Sequence, residues 1–186
     1  MMKLRKNNQG FTLVELIVST AILSIVAVAA SAFMVAGTRT YSSLNYTVRL
    51  QYEAQIAMAQ LQEYTVDCTD GIAWEEKTVT DANGVATVQK FLYIVNGTDV
   101  HLFKFDSESQ TLSYGKTGKA ATLTGPAYNL AAEHITGMDV DLRTEGQVGI
   151  TLHMQRNNKT YSATQVIALR NRPKSANSWA ALNAII

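Results

Sequence analysis

Glu15 is a carboxylate at the head of an otherwise apolar run, Leu16 to Ala36. A charged group at the mouth of a membrane-length segment is costly and marks a functional site by default. In an apolar bundle an unpaired carboxylate costs several kcal/mol, so Glu15 needs a cation. Just upstream, Gly10 closes a short leader that carries Lys3, Arg5 and Lys6. Elsewhere the chemistry is sparse. His101, His134 and His153 are scattered without HExxH or related spacing. His101 and His153 fall in strand-like stretches and are expected at the surface or partly buried. The chain contains neither a Gly-rich phosphate loop nor a Gly-x-Ser-x-Gly elbow. Asp139, Asp141 and Glu145 could gather on one edge as oxygen ligands for calcium, although a solvated strand face explains them as well. Cys68 is the sole cysteine, so no intrachain disulfide can form, and it reads as a small structural residue.

The element that must position Glu15 is a helix. From Phe11 to Thr65 there is no proline, and Gly37 is the only glycine. At ~1.5 Å per residue, Leu16 to Ala36 can cross about 30 Å of hydrocarbon. Small residues such as Ser19, Ala21, Ser24, Ala27, Ala30 and Ser31 pepper it, and small side chains let helices approach closely. Beyond it, Tyr46, Leu50, Ala54, Ala57, Met58, Leu61 and Tyr64 recur every three or four residues, the mark of one buried face. Arg49, Glu53 and Glu63 lie off that stripe. The pattern predicts one long helix, apolar all round in its first half and amphipathic in its second, with a local kink or melting at Gly37-Thr38.

The segment Gly10-Phe11-Thr12-Leu13-Val14-Glu15, with a basic leader before it and an apolar run after it, resembles the type IV pilins and pseudopilins. The resemblance covers the first forty or so residues. It implies that a membrane-embedded prepilin peptidase cuts after Gly10 and methylates the new amino terminus at Phe11. It also implies that Glu15 helps to register one subunit against another in a filament. The residues agree with these expectations. Glycine lets a protease approach its carbonyl closely, and the leader's cations hold it in the cytoplasm. Glu15 lies in the first helical turn of the cut chain, where the helix dipole favours an anion. The amine at Phe11 of a neighbouring copy is a cation at the right depth. A wrong stagger would bury the carboxylate unpaired, so the charge can set register, as a polar residue does in a coiled coil. Many pilins close a C-terminal loop with a disulfide, and this chain departs from that pattern.

The remainder reads as β structure. Val66 to Lys77 is expected to be a connector with Trp74 as its anchor, and Asp81-Ala82-Asn83-Gly84 a hairpin turn. Val85–Val95, Val100–Phe105 and Thr111–Tyr114 read as a meander of antiparallel strands, followed by a loose loop from Gly115 to Tyr128. Met138, Val140 and Leu142 alternate with Asp139, Asp141 and Arg143. Val148, Ile150, Leu152 and Met154 alternate with Gly149, Thr151, His153 and Gln155. Arg156-Asn157-Asn158-Lys159 turns into a last strand, Thr160 to Arg170. These later strands each show one core face and one wet face. The stretch Val166 to Asn171 is similar to the final strand of W-type minor pilins and J-type minor pseudopilins. After Pro173 the tail becomes apolar again at Trp179, Leu182, Ile185 and Ile186, and either a neighbour or the domain itself could receive it.

The expected fold class is α+β, with a long N-terminal helix packed on an antiparallel β-sheet domain. The expected divisions are a leader at 1–10, a transmembrane and assembly half-helix at 11–36, an amphipathic half-helix at 37–65, a β-rich domain at 66–173 and a tail at 174–186. Net charge is +1, and no basic patch points to nucleic acid. The sequence calls for no cofactor and no enzymatic role. The resemblance implies a structural subunit, held in the cell membrane by one span with its leader inside and its domain outside. Its partners would be prepilin peptidase, the membrane and other pilin subunits in a surface or periplasmic filament. The rival reading is a membrane-anchored or secreted β-rich binding module, with an ordinary signal sequence cut near Ala30-Ser31-Ala32.

Overall fold

The computed structural model describes residues 11–80, 84, 86–120 and 126–186. The helix α1 runs from Leu13 to Val66. The chain divides into two compact units between Leu44 and Asn45, and α1 passes through the division. In the first unit α1 is exposed almost throughout. It continues through Gly37-Thr38 without interruption, contrary to the expected local melting. The hydroxyls of Thr38 and Thr40 donate to the carbonyls of Met34 and Ala36, 2.8 and 3.0 Å away.

Among the described residues, the second unit contains the rest of α1, nine strands and a short helix. Six strands form one sheet in the order β5-β4-β3-β2-β1-β9. They are β1 (Gly71–Thr80), β2 (Ala86–Asn96), β3 (Asp99–Asp106), β4 (Thr111–Gly118), β5 (Asn129–Ala132) and β9 (Lys174–Ala176). A separate sheet holds β6 (Ile135–Asp141), β7 (Gln147–Arg156) and β8 (Lys159–Ala168) in that order. All pairings are antiparallel except β1 with β9.

Alternation explains how the larger sheet is covered on both faces. Leu92, Ile94, Phe103 and Phe105 point into the main core with Leu50, Ala54, Ala57, Met58 and Leu61 of α1 and with Val148, Ile150, Leu152 and Met154 of β7. Their strand neighbours Tyr93, Val95, Val100 and Leu102 point the other way, into a second cluster with Trp179 and Leu182. Strands buried on both faces read as continuous apolar runs, as Phe91 to Val95 does. The three-stranded sheet keeps the expected one-sided alternation.

Several expectations needed correction. Val66 to Lys77 is not simply a connector, because β1 pairs with β2 over ten consecutive positions from Gly71↔Val95 to Thr80↔Ala86. Its polar residues occupy the exposed end of a real strand, where Glu75 pairs with Lys77 and Glu76 with Lys90. The hairpin residues Asp81 to Asn83 lie outside the described residues. Strand β4 runs past Tyr114 to Gly118, and Gly115 suits it because Pro126 Cγ lies 2.5 Å from where a Cβ would stand. The turn Asn157-Asn158 has φ of 46 and 60°, the left-handed pair that a two-residue hairpin needs. The tail docks on its own domain. Strand β9 joins β1, and α2 (Trp179–Asn183), capped by Ser178, buries Trp179 and Leu182. The notch that receives it is Gly71, where a Cβ would meet Leu182 Cδ1 at 2.5 Å.

His101 was expected at the surface or partly buried, and it is buried. The rings of His101 and Tyr114 both stack against Tyr64, at 4.6 and 4.7 Å between centroids, and lie 6.0 Å from each other. His101 Nδ1 lies 2.8 Å from the Tyr114 hydroxyl. Burial lowers the pKa of this imidazole, Lys116 adds to the shift, and Asp99 opposes it.

Two outcomes follow. Gly71→Val should press on Leu182, destabilising the chain by ~1–3 kcal/mol and raising acrylamide quenching of Trp179 in a Trp74→Phe background. Unchanged quenching would show that the notch does not hold α2. The unfolded His101 imidazole binds a proton at higher pH than the folded one, so its contribution is intact above about pH 6.5 and is lost as pH falls below that. His101→Phe should flatten this part of the stability curve, read from urea midpoints, and an unaltered slope would assign it to other groups.

Candidate functional site

The residues at the head of α1 form a reciprocal cap. Thr12 immediately precedes the first helical residue, Leu13, and Glu15 lies in the first turn. The Thr12 backbone N–H donates to Glu15 Oε2 at 2.9 Å, and the Thr12 hydroxyl donates to the same oxygen at 2.8 Å. In return, Glu15 N–H donates to Thr12 Oγ1 at 3.3 Å. This is a capping box, in which a Thr and a Glu three residues later satisfy each other's exposed helix-end donors. The Thr-Leu-Val-Glu spacing signals it in the sequence, yet the sequence reading assigned Thr12 no role. Phe11 is 86% exposed just outside the cap. Gly10 lies outside the described residues.

Beyond the cap, α1 presents apolar side chains to its surroundings from Leu13 to Val35. It is the one described helix long and apolar enough to cross a membrane. The hydroxyls of Thr20, Ser24 and Ser31 within this stretch turn back onto their own helix. Thr20 Oγ1 donates to Leu16 O at 3.0 Å, Ser24 Oγ to Thr20 O at 2.7 Å, and Ser31 Oγ to Ala27 O at 2.8 Å. Back-bonding of this kind satisfies hydroxyls where no water is available. The Glu15 carboxylate is therefore the charged group that stands out in the run.

Several of the domain's ionisable groups are tied to one another. Asp141 Oδ1 accepts from Arg143 Nε at 2.9 Å, and its Oδ2 accepts from Arg143 Nη2 at 2.7 Å. This fork, helped by the Arg143 backbone N–H, holds the Asp141 pKa at about 2. Asp139 meets Lys90 at 3.3 Å and His153 at 3.2 Å. Glu145 is exposed in the β6–β7 connection. Among the described residues, no three His, Cys, Asp or Glu side chains gather as metal ligands. His134 meets Glu53 at 3.3 Å, tying the β5–β6 turn to α1. Cys68 is buried, and its Sγ lies 3.2 Å from Gly71 O and 3.8 Å from Val95 O. Burial pushes its pKa up to about 11, so the thiol stays protonated.

Comparison with known proteins bears on the N-terminal site. A family model described as the prokaryotic N-terminal methylation motif matches residues 5–31. No curated protein and no solved structure gives a significant match to the chain. The chain thus carries a prepilin-type N-terminal methylation motif followed by a long apolar helix that packs, in its second half, on a β-sheet domain, and it fits the type IV pilin family.

Proposed function

We propose that the chain is a structural subunit of a type IV pilus or a type II secretion-like pseudopilus, without catalytic activity of its own. The observation that carries this reading is the Thr12–Glu15 cap at the head of a helix whose apolar first half is exposed. In the precursor, residues 11–36 hold the subunit in the membrane with its leader in the cytoplasm and residues 66–173 outside. Prepilin peptidase removes residues 1–10 after Gly10 and methylates Phe11. The cut leaves the cap in place, because its donors belong to Thr12 rather than to the leader. Both Thr12 bonds go to Oε2, and we assign Oε1 to the Phe11 amine of a neighbouring subunit. Extraction from lipid then places each apolar helix against others of its kind in an open, heterologous assembly. Residues 37–65 link this assembly to the domain, with the tail at 174–186 folded back on it. The likeness of Val166–Asn171 to W- and J-type final strands supports a minor subunit.

The decisive experiment is the intact mass and N-terminal sequence of the protein purified from its own cells. The expected result is a chain starting at Phe11 with one added methyl. A start at Phe33 or an uncut Met1 would replace the pilin reading with that of a secreted or anchored binding module. Glu15→Ala is expected to leave cleavage largely intact and to impair incorporation into filaments, scored by immunoblot of sheared surface fractions. Normal incorporation of that variant would remove Glu15 from any role in register.

A further inference from the structure

A second candidate site lies in the globular unit. Between β1 and β9 of the larger sheet and the outer face of the smaller one lies an open cleft of about 730 Å³. That volume falls within the ~300–1,000 Å³ typical of small-ligand sites. Trp74 lines one wall. The opposite wall carries the Thr151 and Thr164 hydroxyls, 3.1 Å apart, beside Val166, which is 63% exposed. Asn177 and the Asp141–Arg143 pair border the opening.

The charges of this cleft cancel locally. Asp141 is held by Arg143, and Asp139 by Lys90 and His153. Neither an anion nor a cation finds an uncompensated partner there. A wholly apolar ligand fits no better, because it would strip water from hydroxyl, amide and carboxylate groups without replacing their hydrogen bonds. The lining suits a neutral ring with apolar faces and a rim of hydroxyls. A gluco-configured sugar is such a ring, since its axial hydrogens form C–H faces and its hydroxyls project around the edge. An indole supplies a large apolar surface for such a face, and charged hydrogen-bonding groups hold hydroxyls more strongly than neutral ones.

We propose that this cleft binds a neutral, gluco-configured oligosaccharide, with one ring against Trp74 and hydroxyls on Thr151, Thr164, Asn177 and the Asp141–Arg143 pair. The site is independent of the filament reading, because every residue in it belongs to the globular unit and the assay needs no assembly. The test uses the full chain in phosphocholine-headed detergent, since sugar-headed detergents would compete. Cellotetraose, maltotetraose and tetra-N-acetylchitotetraose are titrated separately by isothermal calorimetry, up to roughly 10 mM to capture weak binding. At least one is expected to bind saturably. Thr164→Arg, a bulky change on the exposed face of β8, should weaken that binding at least tenfold while leaving the circular dichroism spectrum unchanged. If that variant disturbs the fold, Asn177→Ala at the rim is expected to weaken binding as well. Failure of all three sugars to bind, or binding that a folded cleft variant leaves intact, overturns the proposal.

Discussion

Burial of one helical stripe, Leu50, Ala54, Ala57, Met58 and Leu61, holds the globular unit together. Four of these five side chains are wholly excluded from solvent, and the fifth, Met58, nearly so. They reach the larger sheet through Leu92, Ile94, Phe103 and Phe105, and the smaller one through the buried row of β7. Neither sheet could hide its inner face without that stripe. Ala54 and Ala57 matter for what they lack, since short side chains let the helix settle close to the strands. With one cysteine and no disulfide, this packing has no covalent support. Truncating one buried leucine typically costs ~2–5 kcal/mol against a total stability of ~5–15 kcal/mol, so the stripe tolerates little erosion.

The same helix meets a different requirement at its start. There it has no sheet to lie on, and its apolar surface needs lipid or other apolar helices. Hydroxyls turned back onto carbonyls and a carboxylate folded into its own cap are two solutions to one problem, the cost of polar groups where water is scarce. The back-bonded hydroxyls become electrically quiet. The carboxylate is instead held by the neutral donors of Thr12, and its presence distinguishes the head of the helix from the rest of the run.

Much of this organisation was legible in the residues. The absence of proline and the three-four spacing specified α1, and the alternation from Val148 to Met154 specified β7 with its buried side. The Asn157-Asn158 pair marked the tight hairpin. Strand β1 was hidden because Glu75, Glu76 and Lys77 look like connector residues, and only the ten-position register with β2 reveals their role. The split into two sheets was hidden for a different reason, since strand partners are chosen by long-range packing that no local pattern records. At the N-terminal site the charge of Glu15 was evident, whereas its bond to Thr12 was missed although the Thr-x-x-Glu spacing was present. The cleft beside Trp74 could not be anticipated, because its walls come from five strands distant in sequence.

The parallel pairing of β9 with β1 sets an order of events during folding. Gly71 pairs with Lys174 and Ala73 with Ala176, closing a loop on the order of a hundred residues. Hairpins such as β2–β3 and β7–β8 can form as soon as their own residues are available, whereas the outer flank of β1 stays open until the last part of the chain arrives. Contacts this far apart slow folding. An unpaired β1 flank and a bare Gly71 notch are therefore what a nascent domain exposes longest. During that interval the Gly71–Ala73 end of β1 is a free sheet edge, the feature most prone to pairing with a foreign strand; β9 closes that edge and α2 covers the Gly71 notch.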